Sequence, residues 1–229
     1  MDRKALDKML EEHDLWLEFD GKVGRQANFH RLRLQAIDLS NSDFQGVDFS
    51  EAELQKANFN QTKLQTADFR MAGLQGATFE GASLQKALFH KAQMSSTNLW
   101  YTDLRGADLT KVILDKAQVQ HADLREANLQ GADLQDANLF KVSLQKANLQ
   151  SANLKNVDLR EANLENANLS RCILTAANLS KANLCGAVFR DAVFDHVNLS
   201  EVVIDLETLV HLPTAVVQAF QDTLHIKDQ

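Results

Sequence analysis

Leu or Phe recurs at every fifth position of the chain from Phe29 to Ile204, without a shift of frame. These 36 central positions depart from Leu or Phe only at Met94, Val119 and Ile204, and all three of those residues are apolar. A small residue, usually Ala, stands two positions before most central residues, and the residue between them is often Asp or Asn. The hydrophobic pattern therefore has a strict five-residue period.

A five-residue period fits neither regular secondary structure. On an α-helix each step of five residues rotates the side chain by about 140°, which would spread the apolar residues around the cylinder. On a continuous strand the odd spacing would send successive central residues to opposite faces. The chain must therefore turn once per repeat, so that every central residue points to one axis. Each repeat then forms one short edge of a coil, and the backbones of stacked coils pair as a parallel sheet. Because crossovers between parallel strands are almost always right-handed, we expect a right-handed coil.

The aromatic residues bear on the number of edges in each coil. Phe recurs at intervals of twenty residues, and a coil of four edges would stack these rings into ladders. The rings in question are Phe29, Phe49, Phe69, Phe89, Phe59 and Phe79. A ten-residue sub-pattern of Leu-Gln pairs, at 54–55, 64–65, 74–75 and 84–85, is also present. The periodicity alone therefore leaves the number of edges open.

The repeated Ala-(Asp/Asn)-Leu pattern, seen at 132–134, 137–139, 147–149 and 152–154, resembles the pentapeptide-repeat family. The resemblance covers about residues 27–204. It implies an all-β fold, a right-handed quadrilateral β-helix (a β-solenoid). With twenty residues per coil there would be about nine coils, and the rod would be about 43 Å long at the spacing of paired strands.

Short helices are predicted at both ends, where an open solenoid would expose unpaired strand edges. The first helix lies within residues 2–19, and Pro213 opens the second, because proline is favourable in a first helical turn. The apolar stripe of the first helix comprises Leu6, Met9, Leu10, His13, Trp16 and Leu17. That of the second comprises Val216, Val217, Phe220 and Leu224. We therefore divide the chain into an N-terminal helical cap (1–26), the solenoid (27–204) and a C-terminal helical cap (205–229).

The C-terminal helix has two interpretations. It covers the last coil of its own chain, or its apolar stripe also forms a homodimer interface, as in several quinolone-resistance members of the family that this chain resembles. The last coils carry further apolar residues at nominally outward positions, namely Ile173, Val188, Val193 and Val203. Such a surface is either covered by the C-terminal segment or paired with a second subunit.

Composition and charge restrict the class of protein. The formal net charge of −7 argues against a general nucleic-acid binder. No apolar run approaches the roughly 20 residues that span a bilayer, and the first twenty residues mix both signs of charge, unlike a signal peptide. Two cysteines without a repeated spacing do not suggest a disulfide scaffold or a zinc site. We expect a cytoplasmic protein that binds neither membranes nor nucleic acid directly.

No residues have the spacing of a catalytic, metal or cofactor site. Of the seven histidines only His30 and His90 share a column, and they are three coils apart, too far to share a metal ion. The Asp/Asn column is typical of turns, where short polar side chains bind the local backbone. Cys172 takes an inward position normally held by Ala, and Cys185 is nominally outward. We therefore expect a protein that is not an enzyme and that has no cofactor.

Some members of the pentapeptide-repeat family protect DNA gyrase, and mimicry of DNA has been proposed as the basis. The balance of acidic and basic residues on each wall tests whether this chain could mimic DNA. If the coil has four walls, each wall within residues 27–205 carries five or six acidic and three to six basic residues. Duplex DNA of the same length would present about 25 negative charges. Nearly balanced walls are a poor electrostatic copy of DNA. The unbroken frame also lacks the inserted loops that many of those proteins have.

Three aromatic residues stand out on the polar exterior, because Trp100, Tyr101 and Phe140 fall outward on one wall. Exposed aromatic residues beside polar neighbours are enriched at protein interfaces, although large side chains also lie flat on ordinary surfaces. We predict a non-enzymatic interaction scaffold or regulator that binds an unidentified protein partner through these three residues. Protection of DNA gyrase or another topoisomerase is the alternative function.

Overall fold

The computed structural model describes residues 3–210, 212, 216–217 and 225–226. Regular secondary structure lies near the two ends of the chain. It comprises helix α1 (Arg3–Glu18), strand β1 (Val203–Ile204), helix α2 (Leu206–Val210) and strand β2 (His225–Ile226). None of the helices among these residues has the length and apolar character needed to cross a bilayer.

Between α1 and β1 the chain forms a stack of short edges. Every isolated bridge is parallel and joins a residue to the one twenty positions later, from Asn28 opposite Asp48 to Asn183 opposite Val203. Each turn of the chain contains four such bridges, one for each pentapeptide. The coil therefore has the four edges that the phenylalanine intervals indicated.

Each corner between two edges is made by a residue in the left-handed region. The residue two positions after each central residue has a positive φ throughout 31–201, for example 55° at Ala36 and 69° at Gly186. Most of these residues are not glycine, although the conformation costs an L-residue roughly 1–2 kcal/mol. Backbone hydrogen bonds compensate this cost. The Lys56 amide donates to the Gln75 carbonyl of the next coil at 3.0 Å, and the Ala57 amide closes the turn on the Leu54 carbonyl at 3.0 Å.

The central residues and the small residues before them fill the interior. Nearly all of them are fully buried, in one continuous core. In the N-terminal half the phenylalanine rings stack along the axis, with Phe69 4.8 Å from Phe49 and 5.0 Å from Phe89. Rings from opposite edges meet edge to face, as Phe69 and Phe59 do at 5.6 Å. The ring spacing matches the distance between paired strands, so each coil can contribute one ring to a continuous stack.

The Asp/Asn column binds the local backbone, as predicted. Asn148 Oδ1 accepts the Gln150 amide at 3.1 Å, and the same arrangement recurs at most coil corners. The amide groups also form ladders between coils. Asn148 Nδ2 donates to Asn128 Oδ1 at 3.1 Å, and Asn168 Nδ2 donates to Asn148 Oδ1 at 3.3 Å. These side chains therefore stabilise the corners and tie successive coils together.

Helix α1 covers the first coil. Its His13 side chain is buried and stacks on Phe44 at 5.2 Å and on Trp16 at 5.9 Å. The ring lies between two backbone groups, because Nε2 donates to the Asp43 carbonyl at 2.7 Å and Nδ1 accepts the Ala27 amide at 3.3 Å. The helix thus closes the apolar end of the coil and satisfies polar groups of the first edges.

At the other end, the C-terminal segment adds a strand that the sequence pattern did not predict. Strand β2 pairs in parallel with β1, with Val203 opposite His225. Helix α2 was not predicted either, since it ends at Val210, before Pro213. Asp205 precedes it and accepts the Thr208 amide at 2.7 Å and the Gly186 amide at 2.9 Å. Burial opposes ionisation of Asp205, but these hydrogen bonds outweigh it and lower the pKa of its carboxyl.

Two residues of the predicted dimer stripe are described. Val216 and Val217 are helical and half-buried, and they pack against the core of their own chain. Phe220 and Leu224, like Pro213, lie outside the described residues. A dimer interface through this stripe therefore stays a prediction.

Candidate interaction surface

The structure brings Trp100, Tyr101 and Phe140 together at one corner of the solenoid. Successive coils repeat after twenty residues, so positions 100, 120, 140 and 160 form one column and positions 101, 121 and 141 form the next. We call this surface the aromatic corner. It comprises Trp100, Tyr101, Gln120, His121, Phe140, Lys141 and Arg160.

A histidine links the predicted aromatic residues. The Tyr101 and His121 rings stack at 4.9 Å with an interplanar angle of 11°. His121 also meets Phe140 edge to face at 5.9 Å. The indole of Trp100 is held separately, because its Nε1 donates to Gln120 Oε1. The rings are therefore fixed by contacts with each other and with the wall.

Two cations lie over the Phe140 ring. Lys141 Nζ is 5.1 Å and Arg160 Cζ is 5.5 Å from its centroid. Both cations have acidic partners, since Lys141 Nζ is 3.4 Å from Glu161 and Arg160 binds both carboxylate oxygens of Asp158, at 2.8 and 2.7 Å. Burial opposes ionisation of Asp158, but the hydrogen bonds from Arg160 outweigh it and lower the pKa of that carboxyl. At this end of the corner, the aromatic ring and both cations therefore already have partners of complementary charge.

The other end is open to solvent. Tyr101 is 60% exposed and Trp100 is 40% exposed, whereas Phe140 is half-buried. The backbone turns their side chains outward, because the Trp100 amide is bound by Asn98 Oδ1 at 3.0 Å and Tyr101 takes the left-handed corner conformation. Two large aromatic side chains thus stand on a polar surface in a fixed arrangement.

From the sequence alone, His121 is one of seven histidines without a catalytic or metal-binding spacing. In the structure it is the contact between Tyr101 and Phe140. The twenty-residue interval was the signal available, since it places His121 one coil after Tyr101.

The repeat itself decides the family. The profile of the family described as Pentapeptide repeats matches the chain in eight copies, over residues 72–110, 102–139, 137–175 and 172–202. A second profile, described as Pentapeptide repeat region, matches residues 25–89. The chain belongs to the pentapeptide repeat family. Both matches fall on the segment in which central residues recur every five positions.

Solved structures with this fold include other pentapeptide repeat proteins. A trypsin-treated variant of QnrB1, a plasmid-mediated fluoroquinolone resistance protein, is 19% identical, with 85% of this chain and 91% of that chain covered and a TM-score of 0.53. HetL, involved in heterocyst differentiation regulation in the cyanobacterium Nostoc sp. strain PCC 7120, is 28% identical, with 83% and 95% covered and a TM-score of 0.41. The likeness to QnrB1 shows the right-handed β-helix fold that the repeat predicted. No curated protein is significantly similar in sequence.

Elsewhere in this pentapeptide repeat protein, a His-Ser-Asp cluster resembles a catalytic triad, but its hydrogen bonds run in a different order. His30 Nδ1 lies 2.8 Å from Ser50 Oγ, which donates to Asp48 Oδ1 at 2.6 Å. Because the only hydroxyl proton points to Asp48, the imidazole must donate to Ser50 and does not serve as its base. Over the described ranges, no group of three or more His, Cys, Asp or Glu side chains could hold a metal ion.

The two cysteines differ in environment. Cys172 is buried in the interior, as predicted, and donates to the Leu149 carbonyl at 2.9 Å. Burial raises the pKa of its thiol to about 12, so the unreactive thiol form persists at neutral pH. Cys185 is partly exposed. Cys172 therefore acts as a small core residue of the repeat.

Proposed function

We propose that this pentapeptide repeat protein is a non-enzymatic interaction scaffold, a rod of about nine coils of twenty residues. The aromatic corner is its contact surface for a protein partner. The observation that carries this proposal is the pair of exposed rings, Trp100 and Tyr101, on a wall whose other outward residues are mostly polar. Burial of such rings supplies much of the binding free energy at protein interfaces.

The construction of the corner suits a binding surface. Each ring belongs to a coil whose backbone is paired on both sides, and Tyr101 is further held by its stack on His121. A partner would therefore order few additional side chains on binding. Such preorganisation improves affinity, because less conformational entropy is lost.

We expect the combined substitution of Trp100, Tyr101 and Phe140 with Ser to leave the fold intact and to abolish partner binding. The three side chains lie outside the core, so the far-ultraviolet circular dichroism spectrum should not change. Binding is measured by affinity capture from a lysate of the source cells, followed by mass spectrometry. A matched control replaces Met71, Lys91 and Lys111, which occupy equivalent corners of another wall, with Ser. Equal capture by the native protein and the aromatic variant would reject the proposal.

Protection of a topoisomerase by DNA mimicry has weaker support. Several acidic side chains on the walls are locally neutralised by arginines, for example Asp103 by Arg105 at 2.6 Å and Asp123 by Arg125 at 2.6 Å. A copy of the DNA backbone requires uncompensated negative charge along the rod. We therefore expect no rescue of DNA gyrase from a quinolone at stoichiometric amounts in a supercoiling assay. Rescue would establish the alternative function.

A further inference from the structure

We infer that the aromatic corner takes an arginine side chain of its protein partner, at the exposed end where Trp100 and Tyr101 adjoin Glu80 and Gly81. The inference rests on the proposed function, because it specifies the chemistry that the partner must supply.

The two ends of the corner differ in their electrostatics. The face of an aromatic ring is negative and attracts a cation. Phe140 already has Lys141 and Arg160 over its ring. Trp100 and Tyr101, although more exposed, have no cation over their rings from any residue that the structure describes. The two rings that have no cation over them therefore lie at the exposed end of the corner, where a partner can reach them.

The preceding coil places an acidic residue, Glu80, next to Trp100 in its column. Glu80 and Gly81 come one coil before Trp100 and Tyr101 in the same two columns, and the Gly81 amide donates to the Trp100 carbonyl at 2.9 Å. The Glu80 amide is bound by Asn60 Oδ1 at 2.9 Å, which fixes the backbone at this point. Its carboxylate forms no ion pair with the described part of the chain.

Gly81 places no side chain of its own at the ring of Tyr101. On one side the ring stacks on His121. On the other side the neighbour in the column is Gly81, and the amide end of Gln61 occupies the position that a Gly81 side chain would take. A flat group could therefore approach this face of Tyr101 by displacing one flexible side chain.

Charge favours a cation in this space. The wall that carries the corner has five acidic and three basic residues, the largest acidic excess of the four walls. Its three basic residues, Lys141, Arg160 and Lys181, are already paired with acidic side chains. Arginine fits better than lysine, because its planar guanidinium can stack on an aromatic face while it donates to a carboxylate.

The test uses the full chain and short peptides. Acetyl-Gly-Arg-Gly-amide, and the same peptide with citrulline in place of arginine, are titrated into ¹⁵N-labelled protein, and the Trp100 indole and Gly81 amide resonances are followed. Citrulline has the shape of arginine without its charge. We expect saturable shifts with the arginine peptide and binding about fivefold weaker with citrulline. Glu80→Gln should weaken binding of the arginine peptide by about fivefold, whereas Glu165→Gln, at the matching position of another wall, should change it less than about twofold.

Equal affinity for the two peptides, or an unchanged affinity in Glu80→Gln, would overturn the inference. Its failure is separable from failure of the proposed function. Suppose that Glu80→Gln captures the natural partner as well as the native chain does, while the triple serine variant captures none. The aromatic corner would then be supported as the contact surface, and binding of a partner arginine beside Glu80 would be rejected.

Discussion

Replacing Phe69 with Ala is expected to lower the free energy of unfolding by about 3–5 kcal/mol. Phe69 is fully buried and lies in the middle of the ring ladder, stacked on Phe49 at 4.8 Å and on Phe89 at 5.0 Å. It also meets Phe59 and Phe79 edge to face, at 5.6 and 5.9 Å. The space left by the ring cannot close, because bridges above and below hold the coils at a fixed spacing. The cost should therefore include the full cavity as well as the lost burial.

Urea denaturation followed by far-ultraviolet circular dichroism measures this loss. Met71→Ala is the matched control, since Met71 lies on the same edge but is 57% exposed. Its effect should stay within about 0.5 kcal/mol. A loss below about 1 kcal/mol for Phe69→Ala would show that the rings are not closely packed.

Gly24→Ala is expected to detach helix α1 from the first coil. Gly24 has a φ of +74°, and an added Cβ would overlap the Glu12 carbonyl oxygen and lie 2.8 Å from the Trp16 amide nitrogen. Both atoms belong to the helix backbone, so the whole helix would have to move. The hydrogen bonds of Arg25 to Glu12 and of His13 to the solenoid would then be lost. Overpacking costs about 1–3 kcal/mol and each of these three bonds contributes about 1 kcal/mol, so the free energy of unfolding should fall by about 4–6 kcal/mol.

Hydrogen exchange of the α1 amides, read by mass spectrometry, follows this detachment directly. Gly131→Ala serves as a control, because Gly131 also has a positive φ but an added Cβ would meet only Lys111 Cγ, at 3.6 Å. Ala36 and Ala176 already occupy equivalent corners. Faster exchange in Gly24→Ala alone is the expected result. Equal protection of α1 in both variants would mean that the close approach at Gly24 does not hold the cap.

The candidate site was partly accessible to sequence reasoning. Trp100, Tyr101 and Phe140 were identifiable because an aromatic residue at an outward position interrupts an otherwise polar column. The role of His121 depends on ring geometry between neighbouring coils, and the pattern of one repeat does not contain that geometry. Glu80 and Gly81 became relevant only when the four-edged coil placed them beside the exposed rings.

The five-residue period by itself determined the interior, since a chain that buries every fifth residue must turn once per repeat. The sequence also predicted α1, from an apolar stripe outside the repeat, and corner hydrogen bonds, from the Asp and Asn residues before the central positions. The number of edges per coil was decided only by the bridges between residues twenty positions apart, because a coil of any whole number of pentapeptides would show the same five-residue pattern. Strand β2 pairs with β1 at an offset of twenty-two residues, outside the period of the repeat. Only the tertiary structure decides such contacts, because they depend on the distance between segments in space, and short-range patterning carries no information about that distance.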